Sequence, residues 1–287
     1  MNKIPVRHIT TSSSTAALSG AFRIRDIASL VSAQDMTQPL HRHSFFHVLV
    51  LEKGIGEQQI DFVSYTLNNH SIFFMRPGQV HQLTLQQGSK GYLLEFTGDF
   101  YAPQKKATND VLKRVSHKTF CLSDTIRFSK LLAILSGIYE EYTQQQERYL
   151  EVIRSGLNVF FIELLRHSPN PGAAAANGND YQQQILEQFR ELLETHITAH
   201  KQVSYYSGQL HLTPYQLNAI TKAALGKTSS DLINERVILE ARRYLLATTD
   251  QVTRIAWHLG YEDTGYFIRF FKKHTGYTPE AFRQHFR

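Results

Sequence analysis

The chain has 287 residues, of which 42% are hydrophobic, and a formal net charge of +6 at neutral pH. This length and composition are ordinary for a globular protein and suggest two domains, each able to bury a core. A single cysteine, Cys121, excludes an intramolecular disulfide, and the polar first twenty residues hold no apolar stretch suited to a signal peptide or membrane span, so we expect a cytoplasmic protein.

The N-terminal part of the chain alternates apolar and polar residues in short runs. Glycine, asparagine and proline separate these runs at turn spacing. The pattern predicts short antiparallel strands that fold into a sandwich or a small barrel enclosing a ligand-sized cup. The clearest runs are HSFFHVLVLEKG, GEQQIDFVSYTL, SIFFMRPGQVHQLTL and GYLLEFTG.

Histidines are the most informative residues of the predicted cup. His41, His43 and His47 share strand parity, so on an unbroken strand all three would face the same side. Imidazole nitrogens that converge in a cup suit Zn²⁺, Ni²⁺, Cu²⁺ or Fe²⁺, and an enzyme uses the open coordination positions of such an ion. The alternative is that these histidines hydrogen-bond an organic ligand, satisfy one another or stiffen the entrance.

Two segments, HRHSFFHVLVLEKGIG and FFMRPGQVH, resemble the paired motifs of the cupin fold over roughly residues 20 to 100. In that pattern His81 is a fourth inward histidine, and His47 stands where metal-dependent cupins usually have glutamate. Regulatory cupins generally work without metal, so the resemblance implies a ligand pocket with no metal, no cofactor and no catalytic residue. The predicted ligand-binding residues are His41, His43, His47, His81, Phe45 and Tyr92, with Phe74, Arg23, Arg76 and Glu95 as further candidates for its walls and anchors.

A helical stretch follows the predicted cup and runs from Asp124 to Ser168. Its apolar residues predict one face that packs on the barrel and another that is available to a partner subunit. The alternative is a stripe used wholly within one subunit. The stripe comprises Phe128, Leu131, Leu132 and Leu135, then Leu150, Ile153, Leu157, Phe160, Phe161 and Leu164.

The segment SPNPGAAAANGND, residues 168–180, is rich in proline, glycine, alanine and asparagine. This composition is typical of a flexible linker. We therefore predict an N-terminal sensor and dimerisation domain over residues 1–167 and a C-terminal domain over residues 181–287.

The last ninety or so residues contain one pattern twice, a short apolar helix followed by a tight turn and a second helix. The first copy runs from Val203 to Thr228 and the second from Val252 to Thr278, with a second turn that is one residue longer. A long helix from Ser230 to Leu246, with Ile233, Val237, Ala241, Tyr244 and Leu245 as its core seam, is predicted between them. Two such units in series are suited to two successive major grooves.

Helix caps support this division. Thr213 and Pro214 are placed to start the second helix of the first unit, and Asp263 caps its counterpart, which ends at Gly276. Phe267, Phe270 and Phe271 are the predicted apolar anchors of that helix. From His200 to the C-terminus, 12 lysines and arginines face 7 aspartates and glutamates, so most of the positive surplus lies here, as attraction to phosphate requires.

The segment RIAWHLGYEDTGYFIRFFKKHTGYTPEAFR resembles the signature of the AraC/XylS family of transcription regulators, and the resemblance covers the last third of the chain. It implies a seven-helix DNA-binding domain with recognition helices at residues 213–225 and 263–274, and pairing of two subunits. The sequence departs from the family pattern at Ala219, where arginine is common, at Thr221, where phenylalanine is usual, and at His211, which stands where the second unit has Gly260. The implied DNA-binding residues are Tyr215, Asn218, Ala219, Lys222, Thr264, Gly265, Ile268, Arg269 and Lys272.

Together these patterns predict an α+β protein with an N-terminal antiparallel β cupin-like barrel, a helical dimerisation segment and an all-α seven-helix C-terminal domain with two helix-turn-helix units. The predicted function is sequence-specific DNA binding by a transcription regulator that senses a small molecule. The expected partners are double-stranded DNA, a second copy of the chain, a small-molecule effector and RNA polymerase, with no membrane. The alternatives are a metal-dependent cupin enzyme with an appended DNA-binding module and a constitutive DNA-binding factor whose cup serves only for pairing.

Overall fold

The computed structural model describes residues 6–9, 21–101, 111–112, 114–116, 119–121, 124–166 and 180–286. The chain divides into two compact units, one within residues 5–170 and the other within residues 171–287. The predicted linker, residues 168–180, lies outside the described residues except at Asp180, where a helix begins. No helix in the described part of the chain is both long and apolar enough to cross a membrane.

The described part of the N-terminal unit contains two five-stranded sheets, with strand orders β1-β3-β8-β5-β6 and β10-β7-β4-β9-β2. Neighbouring strands are antiparallel, as predicted, except that β1 runs parallel to β3. The strands are β1 Val6–Arg7, β2 Phe22–Asp26, β3 Met36–His43, β4 Phe46–Lys53, β5 Gly56–Ile60, β6 Val63–Thr66, β7 Ser71–Met75, β8 Val80–Leu85, β9 Lys90–Phe96 and β10 Thr119–Cys121.

Side chains alternate across the second sheet and separate two cores. Leu49 and Leu51 of β4 face the first sheet and pack in one buried cluster with Leu83 and Leu85 of β8. Val48 and the other set of alternate residues face helices on the outer side. The N-terminal unit is therefore a β-sandwich with one face covered by helices.

The helices of this unit that the structure describes from end to end are α1 Ile27–Leu30, α2 Gly98–Tyr101, α3 Thr125–Gln144 and α4 Tyr149–Arg166. The Asp124 side chain caps α3, and Gln145 ends it in the left-handed conformation. The predicted apolar stripe of α3 and α4 packs on the sheet of its own unit. On α4, Val152 and Val159 remain about half exposed, and their spacing of seven puts them on one face of the helix.

The described part of the C-terminal unit is helical and contains seven helices, which confirms the predicted fold class. They are α5 Asp180–His196, α6 Val203–Gln209, α7 Pro214–Leu225, α8 Ser229–Ala247, α9 Val252–His258, α10 Thr264–Thr275 and α11 Pro279–Phe286. Four residues separate α6 from α7 and five separate α9 from α10, so the second turn is one residue longer, as predicted.

The predicted start and stop signals of these helices are also confirmed. Thr213 forms a capping box with Gln216 at the start of α7, and Asp263 caps α10. Gly276 ends α10 with a φ of 81°. The core seam of α8, from Ile233 through Leu245, is buried.

Candidate functional sites: a nucleic-acid interface and a histidine cluster

Helices α7 and α10 are the second helices of the two helix-turn-helix units and have matching patterns of burial. With an offset of fifty residues, Leu217 and Phe267 are both fully buried, and so are Thr221 and Phe271. Each helix therefore packs on its unit through equivalent buried positions. Equivalent positions of the two helices also face outward. The first unit uses a small polar core residue, Thr221, where the second uses a phenylalanine.

The structure leaves most of the predicted DNA-binding residues accessible. Tyr215, Ala219 and Lys222 of α7 are exposed, as are Arg269 and Lys272 of α10. The half-buried members of the predicted set are Asn218, Thr264, Gly265 and Ile268. Cations and polar groups at the exposed positions are suited to phosphate oxygens and base edges in a major groove.

Arg269 lies close to the residue that caps its own helix. One oxygen of Asp263 accepts a hydrogen bond from the Gly265 backbone N–H at 2.7 Å, and the other lies 3.7 Å from Nη2 of Arg269. A side chain at Gly265 would begin 3.1 Å from the Asp263 carboxylate and 3.4 Å from Nη1 of Arg269. The absence of a side chain at Gly265 therefore leaves room for the two charged groups to meet.

The four predicted histidines of the N-terminal unit lie together, although they belong to three strands in two sheets. β3 ends at His43 and β4 begins at Phe46 in the other sheet, so His41, His43 and His47 do not share one unbroken strand. His41 and His43 belong to the first sheet with His81, whereas His47 belongs to the second. The side chains still meet because the inner faces of the two sheets face each other.

Local turns and bulges hold this histidine cluster, His41, His43, His47 and His81, in place. The register of β3 against β8 shifts between Gln38 and His41, at a bulge that contains Pro39, and bulges commonly accommodate proline in a sheet. The turn between β7 and β8 has Pro77 followed by Gly78 at a φ of 85°, an arrangement typical of a type II turn. That turn leads directly into the strand that carries His81.

The ring nitrogens of three of these histidines converge. Nε2 of His43 lies 2.7 Å from Nε2 of His81, which in turn lies 3.1 Å from Nε2 of His41. Nδ1 of His41 is 2.7 Å from the Pro39 carbonyl oxygen, which only accepts, so Nδ1 donates this hydrogen bond. All four histidine side chains are buried.

Burial keeps these imidazoles neutral at pH 7. It lowers the pKa of His41, and it lowers the pKa of His43 to about 3, with further lowering by neighbouring His41. Burial also holds the pKa values of His47 and His81 well below the ordinary range. Neutral ring nitrogens are the form that binds a metal ion or accepts a hydrogen bond from a ligand.

His47 differs from the other three because a carboxylate lies beside it. Glu95 faces His47 in the sheet register, and its Oε1 lies 3.8 Å from Nδ1 of His47. The same oxygen accepts a hydrogen bond from Arg25 at 3.1 Å. Neither ring nitrogen of His47 has a hydrogen-bond partner among the described residues.

Comparisons with known proteins show the family of the chain. Residues 30–153 match the family model of the AraC-like ligand-binding domain, and residues 206–285 match that of a helix-turn-helix domain. The chain belongs to the AraC/XylS family. It is a DNA-binding transcription regulator with a ligand-binding domain.

The chain is similar to several individual proteins. The transcriptional activator RhaS of Pectobacterium atrosepticum is 24% identical over 264 residues, which cover 85% of this chain and 87% of RhaS. AdaA of Bacillus subtilis, a bifunctional transcriptional activator and DNA repair enzyme, is 36% identical over 74 residues, or 26% of this chain and 35% of AdaA. Among solved structures, ToxT from Vibrio cholerae O395 aligns with 92% of this chain and 97% of its own, at 15% identity and a TM-score of 0.43.

In this AraC-type chain the structure does not bring every predicted pocket residue to the histidines. Phe45 is buried with its ring 4.4 Å from that of His43. Tyr92 and Phe74 instead lie on the helix-covered face of the second sheet, where Tyr92 packs near Tyr139. Both residues were predicted without knowledge of the strand register. Tyr92 pairs with Val50 and Phe74 pairs with Val48, and this pairing places both side chains on the helix-covered face rather than in the cup.

Sequence reasoning also missed a residue of the site. Glu95 was a candidate anchor, but Arg25, which donates to it, was not singled out. Arg25 lies on β2. In the second sheet β9 lies between β2 and β4, so only the strand order places Arg25 near the histidines. Phe22 and Ile24 are buried on one face of β2, so Arg25 points to the opposite face. This alternation is the sequence signal that could have identified it.

The residues present also fit a metal ion. Three neutral Nε2 atoms converge, and within the described residues His41, His43 and His81 form a group whose ligand atoms all lie within 4.8 Å of one another. Imidazole donors suit zinc, nickel, copper and cobalt. Such an ion would supply a positive centre with an open coordination position for a further ligand.

Proposed function

We propose that this AraC-type regulator is a one-component sensor in which a small ligand, bound at the histidine cluster, changes the affinity of the C-terminal unit for DNA. The observation that carries the proposal is a buried cluster of four neutral histidines beside an apolar core. Buried polar groups without partners are costly, and among the described residues Nδ1 of His43, Nδ1 of His81 and both ring nitrogens of His47 lack a hydrogen-bond partner. A ligand that satisfies these ring nitrogens accounts for their presence.

The proposed DNA contacts are the exposed side chains of α7 and α10. Lys222 and Lys272 occupy equivalent positions and are assigned to phosphates, whereas Arg269 is assigned to a base edge. The corresponding position of the first unit is Ala219, which offers no hydrogen bond. The second unit therefore carries more of the sequence reading, and the first unit contributes mainly position and affinity.

We propose further that two copies pair through the N-terminal unit. Val152 and Val159 form an apolar face on α4 that the sandwich does not cover. Pairing combines the binding free energies of two DNA-binding units through their effective concentration. RNA polymerase is the expected partner of the DNA-bound protein, in keeping with the names of the transcriptional activators that it resembles.

The protein is proposed to have no enzymatic activity of its own. The described residues of the histidine cluster hold neutral rings and a carboxylate paired with Arg25, and the relatives are transcription regulators, although AdaA is also a repair enzyme. The competing class is a metal-dependent enzyme with a DNA-binding module. Turnover that requires His43 and His81, in a chain that binds no specific DNA, would favour that class.

Footprinting of the purified full-length chain on the DNA upstream of its own gene and neighbouring genes tests the proposal. We expect protection of two segments about one duplex turn apart, on the order of 34 Å, for each bound unit. The protection should change when a ligand that raises the melting temperature of the chain is added. Uniform, sequence-independent protection would contradict the proposed function.

A further inference from the structure

We propose that the effector of this regulator is a divalent transition-metal ion, of the class of zinc, nickel or cobalt, bound by Nε2 of His41, His43 and His81. The inference rests on the proposed function, because it names the ligand of the same pocket. Regulatory domains of this kind are expected to work without metal, so the geometry of this chain points to a different signal.

The three rings are oriented with their Nε2 atoms toward one another. A hydrogen bond from Nδ1 to the Pro39 carbonyl fixes the proton of His41 on the far side of its ring and leaves the lone pair of Nε2 toward the cluster. An outer hydrogen bond of this kind is what orients a metal-binding histidine. Nε2 of His43 and Nε2 of His81 meet at the same point from two different strands.

The ring protons cannot satisfy every contact between the three Nε2 atoms. Nε2 of His81 contacts nitrogens of both His43 and His41, but in a neutral ring it carries either one proton or one lone pair. If it carries the proton, one proton must serve two contacts, and if it carries a lone pair, it faces the lone pair of His41. A cation among three lone pairs satisfies all three nitrogens at once.

The distances agree with such an ion. Tetrahedral zinc with bonds of about 2.0 Å holds its ligand atoms about 3.3 Å apart. The contacts of 2.7 and 3.1 Å between ring nitrogens would lengthen to reach that separation, and all three ligand atoms lie within 4.8 Å of one another. Nitrogen donors alone also select against magnesium and calcium, which prefer oxygen.

His47 is not one of the three proposed ligands, but it lies beside the carboxylate of Glu95. Its ring stacks on that of His43 at 4.8 Å between centroids, and its Nδ1 faces Glu95. A proton on Nδ1 would be attracted to Glu95. We therefore assign His47 as a positioning residue for His43, with negative charge from Glu95 behind it.

Positive charges near the cluster set the strength of binding. Glu95 accepts a hydrogen bond from Arg25, and Gln38 accepts one from Arg7, each at 3.1 Å. The positive charge of these arginines opposes a bound cation, so we expect the ion to exchange with the medium, as an effector must.

The experiment uses the full-length chain freed of metal with a chelator. It is titrated with Zn²⁺, Ni²⁺ and Co²⁺, and its affinity for the footprinted DNA is measured with and without each ion. We expect one ion per chain, X-ray absorption showing nitrogen ligands and no sulfur, and a change in DNA affinity of about fivefold or more. His43→Gln and His81→Gln should each weaken metal binding about a hundredfold or more, whereas His70→Gln, outside the cluster, should leave it unchanged.

Each other outcome has a distinct meaning. No stoichiometric ion on the wild-type chain overturns the inference without reference to any variant, and DNA binding that still responds to an organic ligand would then preserve the proposed function. A tightly bound ion that leaves DNA affinity unchanged overturns the effector role. A chain that binds metal but no specific DNA overturns the proposed function itself.

Discussion

The side-chain oxygen of Asn218 accepts a hydrogen bond from the backbone N–H of Ser229 at 3.1 Å. The second unit has Pro279 at the position of Ser229, and proline has no N–H that needs an acceptor. Ser229 also shares a buried hydrogen bond with Thr221, where the second unit packs Phe271. The two copies thus close the same junction between helices, one with polar contacts and the other with apolar ones.

Asn218→Ala is expected to lower the free energy of unfolding of the C-terminal unit by about 1–2 kcal/mol, because it leaves the Ser229 N–H without its acceptor. In a double-mutant cycle with Ser229→Pro, which removes both that N–H and the hydroxyl bonded to Thr221, the double variant should lose less stability than the two single variants together. Urea unfolding followed by circular dichroism measures both. Equal stability of wild type and Asn218→Ala would show that the hydrogen bond has no structural importance.

The first turns of the two units give a second prediction. His211 adopts a φ of 56°, in the left-handed region, where the second unit has Gly260 at 75°. His211→Gly should therefore stabilise the chain by about 0.5–1 kcal/mol. Gly260→Ala should destabilise it more strongly, because the new Cβ would lie 2.1 Å from the Thr198 carbonyl oxygen. Thermal unfolding of both variants checks the pair, and a less stable His211→Gly chain would contradict the argument.

The repeated C-terminal pattern was predictable from the sequence almost to the residue. Caps such as Thr213 and Asp263, and the glycine at 276, are local signals whose meaning does not depend on distant contacts. The polar junction of Asn218 with Ser229 was not predictable, because Asn218 occupies an outward position of the family pattern and the two residues meet only when α8 folds back on α7.

The histidine cluster was predicted in membership but not in its architecture. Strand parity joined His41, His43 and His47 on one strand, whereas Ser44 and Phe45 carry the chain from one sheet to the other. Parity survives that break only because the two inner faces are opposed. The contribution of Arg25 depends on which strand lies beside β9, and strand order is a property of the whole sheet.

Asp263 is expected to affect how Arg269 reads DNA as well as how α10 begins. Asp263→Asn keeps a side-chain oxygen for the helix cap but removes the charge beside the guanidinium. Nonspecific DNA affinity should rise because an anion near the phosphates is lost, while the preference for the base read by Arg269 should fall severalfold. Competition between operator variants and random DNA measures both quantities, and a parallel change in the two would contradict this role.

Pairing through α4 gives a fourth prediction. Val152→Glu with Val159→Glu places two charges on the uncovered apolar face, so the chain should become monomeric at concentrations where wild type is dimeric. Sedimentation velocity measures the state. Ile126→Glu, at an exposed residue of α3, serves as a matched control. A double variant that dimerises as well as wild type would exclude this face from pairing.

DNA titration at several salt concentrations tests the central claim, that α7 and α10 present their exposed side chains to a duplex. The comparison is between wild type, Arg269→Ala with Lys272→Ala, and Lys53→Ala with Lys90→Ala, which removes two exposed cations from the N-terminal unit. For Arg269→Ala with Lys272→Ala we predict weaker operator binding and a slope of log affinity against log salt concentration reduced by about one to two. Lys53→Ala with Lys90→Ala should remain close to wild type. An affinity and slope unchanged by the loss of Arg269 and Lys272 would contradict it.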